Sequence, residues 1–270
     1  MKAAVYYGRH DLRVTEVEEG TVGDHQVKVN VKYCGVCGTD IHIYEGEGGA
    51  SAVVPPTIIG HEFSGVVSQV GKSVKNVKAG DRVSVDPNDM CGECWFCRNA
   101  MEHFCTNSIG YGTTYPGGFA EYVVVRDKQV FKIPDDLEFE TAALTETVSC
   151  CLHGIDLCDI RTGQTVFIIG AGPIGLIMLQ LAKMSGAGRI VVSEIVPEKR
   201  ELALKYGANI VIDPVKEDIG EILSGNCKNV DRVIECAGTV KTIEQAIKYA
   251  GRGSTVMMFG LVAPDAVASI

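Results

Sequence analysis

The sequence predicts an α/β chain in two parts, and three observations carry that reading. The first half consists of short β-branched segments broken by glycine and proline, whereas strand and helix patterns alternate strictly from about Thr165. A glycine-rich turn, Gly170-Ala171-Gly172-Pro173-Ile174-Gly175, also sits directly between an apolar strand and a helix.

In the first part, residues 27–31, 65–71, 81–85 and 120–125 are rich in valine and bounded by turn residues. They predict strands of a compact β-barrel-like domain over residues 1–153. In the second part, Thr165-Val166-Phe167-Ile168-Ile169 is an unbroken apolar run, as expected of a strand covered on both faces. Pro173 then opens a helix over 174–185, because proline fits the first helical turn. Residues 189–193 form the next strand and 197–206 the next helix. Residues 209–213, 230–234 and 254–259 supply further strands, with a helix over 240–249 before the last. This alternation predicts five parallel strands in a doubly wound sheet over residues 154–270. There is no internal repeat and no low-complexity tract.

With 270 residues, 46% of them hydrophobic, the chain can bury a sizeable core in two domains. A net charge of −9 argues against a surface built for nucleic acid or anionic lipid. No apolar run approaches the roughly 20 residues that span a bilayer, and Met1-Lys2-Ala3-Ala4-Val5 leads into polar sequence, not a signal-peptide core. Of the eleven cysteines, Cys158, Cys227 and Cys236 stand singly, as in a reducing compartment. A cytoplasmic location is expected.

The glycine turn has the context that a dinucleotide site requires: strand, turn, helix, second strand, and then Glu194 about twenty residues on. Gly170 allows the tight turn, Gly172 lets backbone approach a pyrophosphate, and Gly175 lets helix and strand pack closely. Pro173 and Ile174 begin the helix whose N-terminus faces the phosphate charge. Glu194 can accept hydrogen bonds from ribose hydroxyls and would repel a 2′-phosphate, which favours NAD over NADP. Lys199 and Arg200 lie close by in sequence, and Arg200 is a further candidate contact.

Cys91, Cys94, Cys97 and Cys105 lie together, and their two-residue gaps suit a tetrahedral zinc site better than disulfides. A second set of donor residues is scattered: Cys37 in Cys37-Gly38-Thr39-Asp40-Ile41-His42, then Gly60-His61-Glu62, then Glu146. Singly these carry little, since a lone cysteine or histidine more often packs in a core than ligates a metal.

Taken in order, the motifs resemble the zinc-containing medium-chain alcohol dehydrogenases, particularly the polyol (sorbitol-like), butanediol and threonine dehydrogenase branch. The specific pieces are Gly60-His61-Glu62-x-x-Gly65-x5-Gly71, the Cys37 to His42 segment, the four-cysteine lobe and Gly170-x-Gly172-x-x-Gly175. The resemblance implies a GroES-like β-barrel catalytic domain followed by a Rossmann-type doubly wound sheet. It implies a catalytic zinc on Cys37 and His61, with Glu62, Glu146 or a water completing the shell, and a structural zinc on the four cysteines. Cys150 and Cys151, near Glu146, are alternative thiolate ligands. It also assigns Thr39 and His42 to a proton relay and NAD as hydride acceptor.

The implied reaction is hydride transfer between a secondary alcohol, whether diol, polyol or amino alcohol, and NAD. A homo-oligomer, dimer or tetramer, is expected of the full-length form. Because the family usually continues beyond the position of Ile270, a missing C-terminal part of the fold is also expected. Two alternatives follow: an inactive zinc- and NAD-binding protein, or a zinc-free quinone or enone reductase of the same superfamily.

Overall fold

The computed structural model describes residues 1–47, 53–262 and 266–269. The chain divides into two units, Met1–Glu146 and Thr147–Ile270. The sequence suggests 153/154 for this boundary, and both positions fall within one helix (Thr145–Cys158).

The first unit contains β1 (Lys2–Gly8), β2 (Asp11–Glu16), β3 (Gln26–Gly35), α1 (Gly38–Tyr44), β4 (Thr57–Ile58), β5 (Glu62–Val70) and β6 (Arg82–Val85). It continues with β7 (Asn88–Asp89), α2 (Trp95–Arg98), β8 (Ile109–Gly110), β9 (Tyr122–Arg126), β10 (Val130–Lys132) and α3 (Phe139–Ala143). The main sheet is antiparallel in the order β10-β6-β5-β3-β9, and a smaller sheet runs β2-β1-β4. Strand alternation builds its core: Val27, Val29, Val67, Val83, Val123 and Val125 point inward and are buried around Phe63. Helix α3 packs on this sheet, and Ser84 Oγ donates to Ala142 O at 3.1 Å. The short ribbon β7-β8 brackets the four-cysteine segment.

That ribbon is held at its base by a charge. Asp89 is buried, with Lys128 Nζ at 2.6 Å and Arg126 Nη1 at 3.3 Å. Lys128 also donates to Met90 O at 2.7 Å, immediately before Cys91. A buried carboxylate left without these partners would be costly, so the contact specifies where the cysteine segment leaves the barrel.

The second unit follows along α4 (Thr145–Cys158), with β11 (Thr165–Ile169), α5 (Pro173–Met184), β12 (Arg189–Ser193), α6 (Pro197–Tyr206) and β13 (Ile210–Ile212). Then come α7 (Ile219–Asn226), β14 (Arg232–Glu235), α8 (Val240–Lys248) and β15 (Thr255–Met258). All five strands pair in parallel, in the order β13-β12-β11-β14-β15. Val166 and Ile168 pack with α4 and α5 residues Ile155, Met178 and Leu179 on one face. Phe167 and Ile169 pack with α7 and α8 residues Ile219, Leu223 and Ala246 on the other. Both faces are therefore covered, which is why the strand reads as a continuous apolar run. The winding reverses beside β11, between β12 and β14, where open α/β sheets form a crevice at their carboxyl ends.

The expected strands over 27–31, 65–71, 81–85 and 120–125 correspond to β3, β5, β6 and β9, and the five expected parallel strands to β11 through β15. Helix α7 has no counterpart in the sequence reading. Among the described residues no helix is long and apolar enough to cross a membrane.

Candidate functional site

Strand β3 ends at Gly35, and Cys37 becomes the N-cap of the seven-residue helix α1. Asp40, at the third helical position, reaches back so that its Oδ2 accepts the Cys37 backbone N–H at 2.9 Å. This is a capping box, and it holds the cysteine at the helix start. His61 and Glu62 come from the start of β5, which pairs with β3 so that Gly35 lies opposite Glu62. A Cβ on Gly35 would run into the Glu62 carboxylate, so only glycine leaves the room that this acid occupies.

These elements bring Cys37 Sγ, a His61 ring nitrogen and a Glu62 carboxylate oxygen within 4.8 Å of one another. His61 and Glu62 are buried and Cys37 is half-buried. Behind them, Asp40 Oδ1 faces His61 Nδ1 at 3.6 Å, too far for a hydrogen bond, and both atoms are buried without a hydrogen-bond partner. Burial pulls the imidazole pKa down, but the facing Asp40 and Cys37 groups outweigh it and push it up to about 10. The pocket therefore stabilises positive charge. A thiolate, an imidazole and a carboxylate are the donor types zinc takes in open, reactive sites, so these residues fit that ion.

Asp40 was not singled out from the sequence, although it lies within the Cys37 to His42 segment. It has the arrangement of a carboxylate that orients a ligating histidine. Asp40→Asn is expected to weaken zinc binding about tenfold to a hundredfold, the usual cost of losing such a partner. Chelator competition on the purified protein measures this directly.

A cavity of about 160 Å³ opens beside His61, with Thr39, Asn88, Ser108, Thr113 and Glu146 in its lining. Glu146 thus shares a cavity with His61 and Thr39, but it is not part of the three-residue group formed by Cys37, His61 and Glu62. Cys150 is exposed and Cys151 lies in the apolar core of the second unit, and neither belongs to that group. His42 lies further along α1 at an exposed position, its Nδ1 2.8 Å from Glu47 Oε2. Asn88 and Ser108 escaped the sequence reading because nothing in their local pattern ties them to a site.

Cys91, Cys94, Cys97 and Cys105 offer sulfurs that all lie within 4.8 Å of one another. Cys94 Sγ is 3.5 Å and Cys91 Sγ 3.9 Å from Cys97 Sγ. A tetrahedron with Zn–S near 2.3 Å needs about 3.8 Å between sulfurs, whereas a disulfide needs about 2.05 Å. Backbone N–H groups of Glu93 and Cys94 point at Cys91 Sγ, and those of Cys91 and Asn107 at Cys105 Sγ, at 3.3–3.4 Å. Such donors favour thiolates, and those of Cys97 and Thr106 push the Cys94 pKa down to about 6. The lobe fits a closed zinc site.

In the second unit, a cavity of about 540 Å³ is lined by Gly170, Gly172, Ser193, Glu194, Lys199 and Thr239, among others. Gly170 has φ +98°, and a Cβ on Gly175 would strike Gly170 O, so the turn and the helix approach require glycine at both positions. At Gly172, the N-cap of α5, a Cβ would meet nothing within 4 Å, leaving backbone open to a ligand. Pro173 and Ile174 form the first turn of α5. Glu194 is buried, its two oxygens accepting the N–H of Ala171 at 2.7 Å and of Val196 at 2.8 Å. It therefore ties the glycine turn to the end of β12 while lining the cavity. A dinucleotide fits this cradle.

Arg200 departs from the expectation. It is not among the residues lining the cavity, because its Nη1 donates to Glu194 O and Ile195 O, and its Nη2 pairs with Asp213. Its neighbour Lys199 lines the cavity instead.

Comparison with known proteins agrees with the family resemblance carried by the motifs. Residues 23–135 match the alcohol dehydrogenase GroES-like domain, and residues 173–270 match the zinc-binding dehydrogenase domain. The chain is 38% identical over 266 residues to an L-threonine 3-dehydrogenase of Pyrococcus abyssi, a match covering 97% of this chain and 75% of that protein. It is 36% identical over 264 residues to D-arabinitol dehydrogenase 1 of Uromyces fabae, covering 96% and 74% respectively. A Sinorhizobium meliloti structure assigned as a zinc-binding dehydrogenase and bound to NADP superposes with a TM-score of 0.95 at 38% identity, covering all of this chain and 79% of that one.

Proposed function

The chain belongs to the zinc-containing medium-chain alcohol dehydrogenase family, and on that premise we propose that it oxidises a neutral secondary diol or polyol with NAD. The observation that carries the reading is the Cys37, His61 and Glu62 group beside a cavity rich in hydroxyl and amide groups. When bound, zinc would supply Lewis acidity for the alcohol oxygen and NAD a hydride acceptor. Cys37 and His61 would hold the metal, Glu62 would offer the third donor, and Asp40 would orient His61. The four-cysteine lobe would hold a second zinc with a structural role.

Thr39 lines the cavity, where its hydroxyl can exchange a proton with the alcohol, and His42, three residues along the same helix and exposed, is suited to release a proton to solvent. Asn88, Ser108 and Thr113 can hydrogen-bond further hydroxyls of a polyol. No lysine or arginine lines that cavity among the described residues, and Glu146 does. A phosphorylated polyol, or the carboxylate of an amino acid, would find no lysine or arginine among those lining residues. Glu194, at the end of β12, supports NAD over NADP.

Metal analysis with an NAD-reduction screen over diols, polyols, polyol phosphates and threonine tests the reading. Neutral diols or polyols should exceed the anionic substrates in kcat/KM by on the order of a hundredfold, the cost of an unpaired desolvated charge. Higher turnover of threonine or of a polyol phosphate would overturn the substrate class. Failure of zinc-loaded protein to reduce NAD with any secondary alcohol would overturn the activity.

A further inference from the structure

Asp213 and Arg200 connect two walls of the large cavity in the second unit. One wall is Ser193 to Val196, at the end of β12, and the other is Pro214 and Val215, just after β13. Arg200, on α6, reaches both: its Nη1 donates to Glu194 O at 2.7 Å and Ile195 O at 2.8 Å, and its Nη2 lies 2.9 Å from Asp213 Oδ2. The ion pair is largely sheltered, with side-chain exposures of 15% for Arg200 and 11% for Asp213. Asp213 Oδ1 accepts the Val215 N–H at 3.1 Å, so one carboxylate shapes its own wall and grips the arginine. Lys216 Nζ lies 3.7 Å from Asp213 Oδ2 and adds a weaker, exposed partner.

In a dinucleotide fold an arginine near this strand end is the group that receives a 2′-phosphate. A guanidinium suits that task because its fork of donors matches phosphate oxygens. Here the arginine is present but occupied, with one nitrogen on two carbonyls and the other on a carboxylate. We propose that Asp213 is a specificity-determining residue for the dinucleotide, withholding the Arg200 guanidinium from the 2′ position and leaving Glu194 to meet the ribose. This rests on the nucleotide reading above. Neutralising Asp213 releases Nη2 and raises the local net charge by one, which favours a phosphate beside the same wall. Lys199 and Lys241 also line the cavity, so the test must separate their charge from that of Arg200.

The test is calorimetric titration of zinc-loaded protein with NADH and with NADPH, alongside thermal melting. Wild type should prefer NADH. Asp213→Asn keeps an oxygen for the Val215 N–H and should narrow the NADPH-to-NADH Kd ratio about tenfold, the worth of one hydrogen bond to a charged group. Adding Arg200→Gln to that variant should restore the wild-type ratio, and Arg200→Gln alone should leave it unchanged. An unchanged ratio in Asp213→Asn, with only a lower melting temperature, makes Asp213 merely structural and overturns the proposal. A relaxed ratio that survives in the double variant assigns the effect to the lysines and overturns it equally. Should Asp213→Asn fail to fold, a selective loss of NADPH affinity in Arg200→Gln shows the arginine already serving the phosphate, with the same consequence; an unchanged ratio there supports the proposal. Wild-type preference for NADPH overturns the proposal and leaves the nucleotide reading intact, whereas wild type binding neither dinucleotide overturns both.

Discussion

Cys37→Ser is expected to lower kcat by roughly a thousandfold or more, since Lewis-acid stabilisation is worth several kcal/mol and each ~1.4 kcal/mol is tenfold in rate. Serine suits this test better than alanine. Cys37 is the N-cap of α1, and serine is a favoured N-cap, so the helix that carries Thr39, Asp40 and His42 should persist. The hydroxyl is a far weaker zinc ligand than the thiolate, leaving His61 and Glu62 as the remaining donors of the group. Because the glycine turn and Glu194 lie in the other unit, NADH affinity should not change. Metal content, steady-state rates and NADH titration together check the result. Undiminished turnover in a variant that has lost this zinc would remove the proposed role of the ion.

Cys94→Ser should act on stability. Closed structural zinc sites contribute about 10–16 kcal/mol of apparent binding free energy in small peptides, which exceeds the total stability of many domains. The segment has little else to hold it: α2 is a four-residue helix with no buried residue, and Trp95 and Phe104 are exposed. Even a loss of ~5 kcal/mol would lower Tm by roughly 10–20 °C at the usual ~2–4 °C per kcal/mol for a domain of this size. The expected result is loss of the lobe's zinc with a melting transition displaced by at least that amount, or no accumulation of folded protein. The signature separates the two metals: Cys37→Ser should lose turnover while keeping most of its stability. A Cys94→Ser protein with unchanged melting and impaired turnover would reverse this division of labour.

The parts legible in the sequence were those whose chemistry is written in short spacing. The four cysteines occupy one segment, and backbone N–H groups of that same segment point at their sulfurs. The turn from β11 to α5 is likewise local, since Gly170 and Gly175 are required by each other's backbone. Alternation and unbroken apolar runs identified β3, β5, β6 and β9 and the five parallel strands, because burial on one or two faces imposes those patterns.

Helix α7 escaped the reading for a physical reason. Its eight residues include Gly220 and Gly225, both poor helix formers, and its place depends on the Asp218 cap and on Ile219 and Leu223 packing under the sheet. Asp40 escaped because an acid three residues after a cysteine is unremarkable until β5 delivers His61 to face it. Arg200 was read as a nucleotide contact from its distance along the chain, whereas Asp213 on a neighbouring strand end captures it.

By itself, then, the sequence determined the two-part α/β architecture, the cysteine lobe, the glycine turn and the family, all of which are set by residues near one another along the chain. The tertiary structure decided which acid stands behind His61, that Glu62 lies together with Cys37 and His61, and how Arg200 bridges the two cavity walls. Those outcomes depend on strand pairing and ion pairs between distant segments, and no spacing along a single segment encodes them.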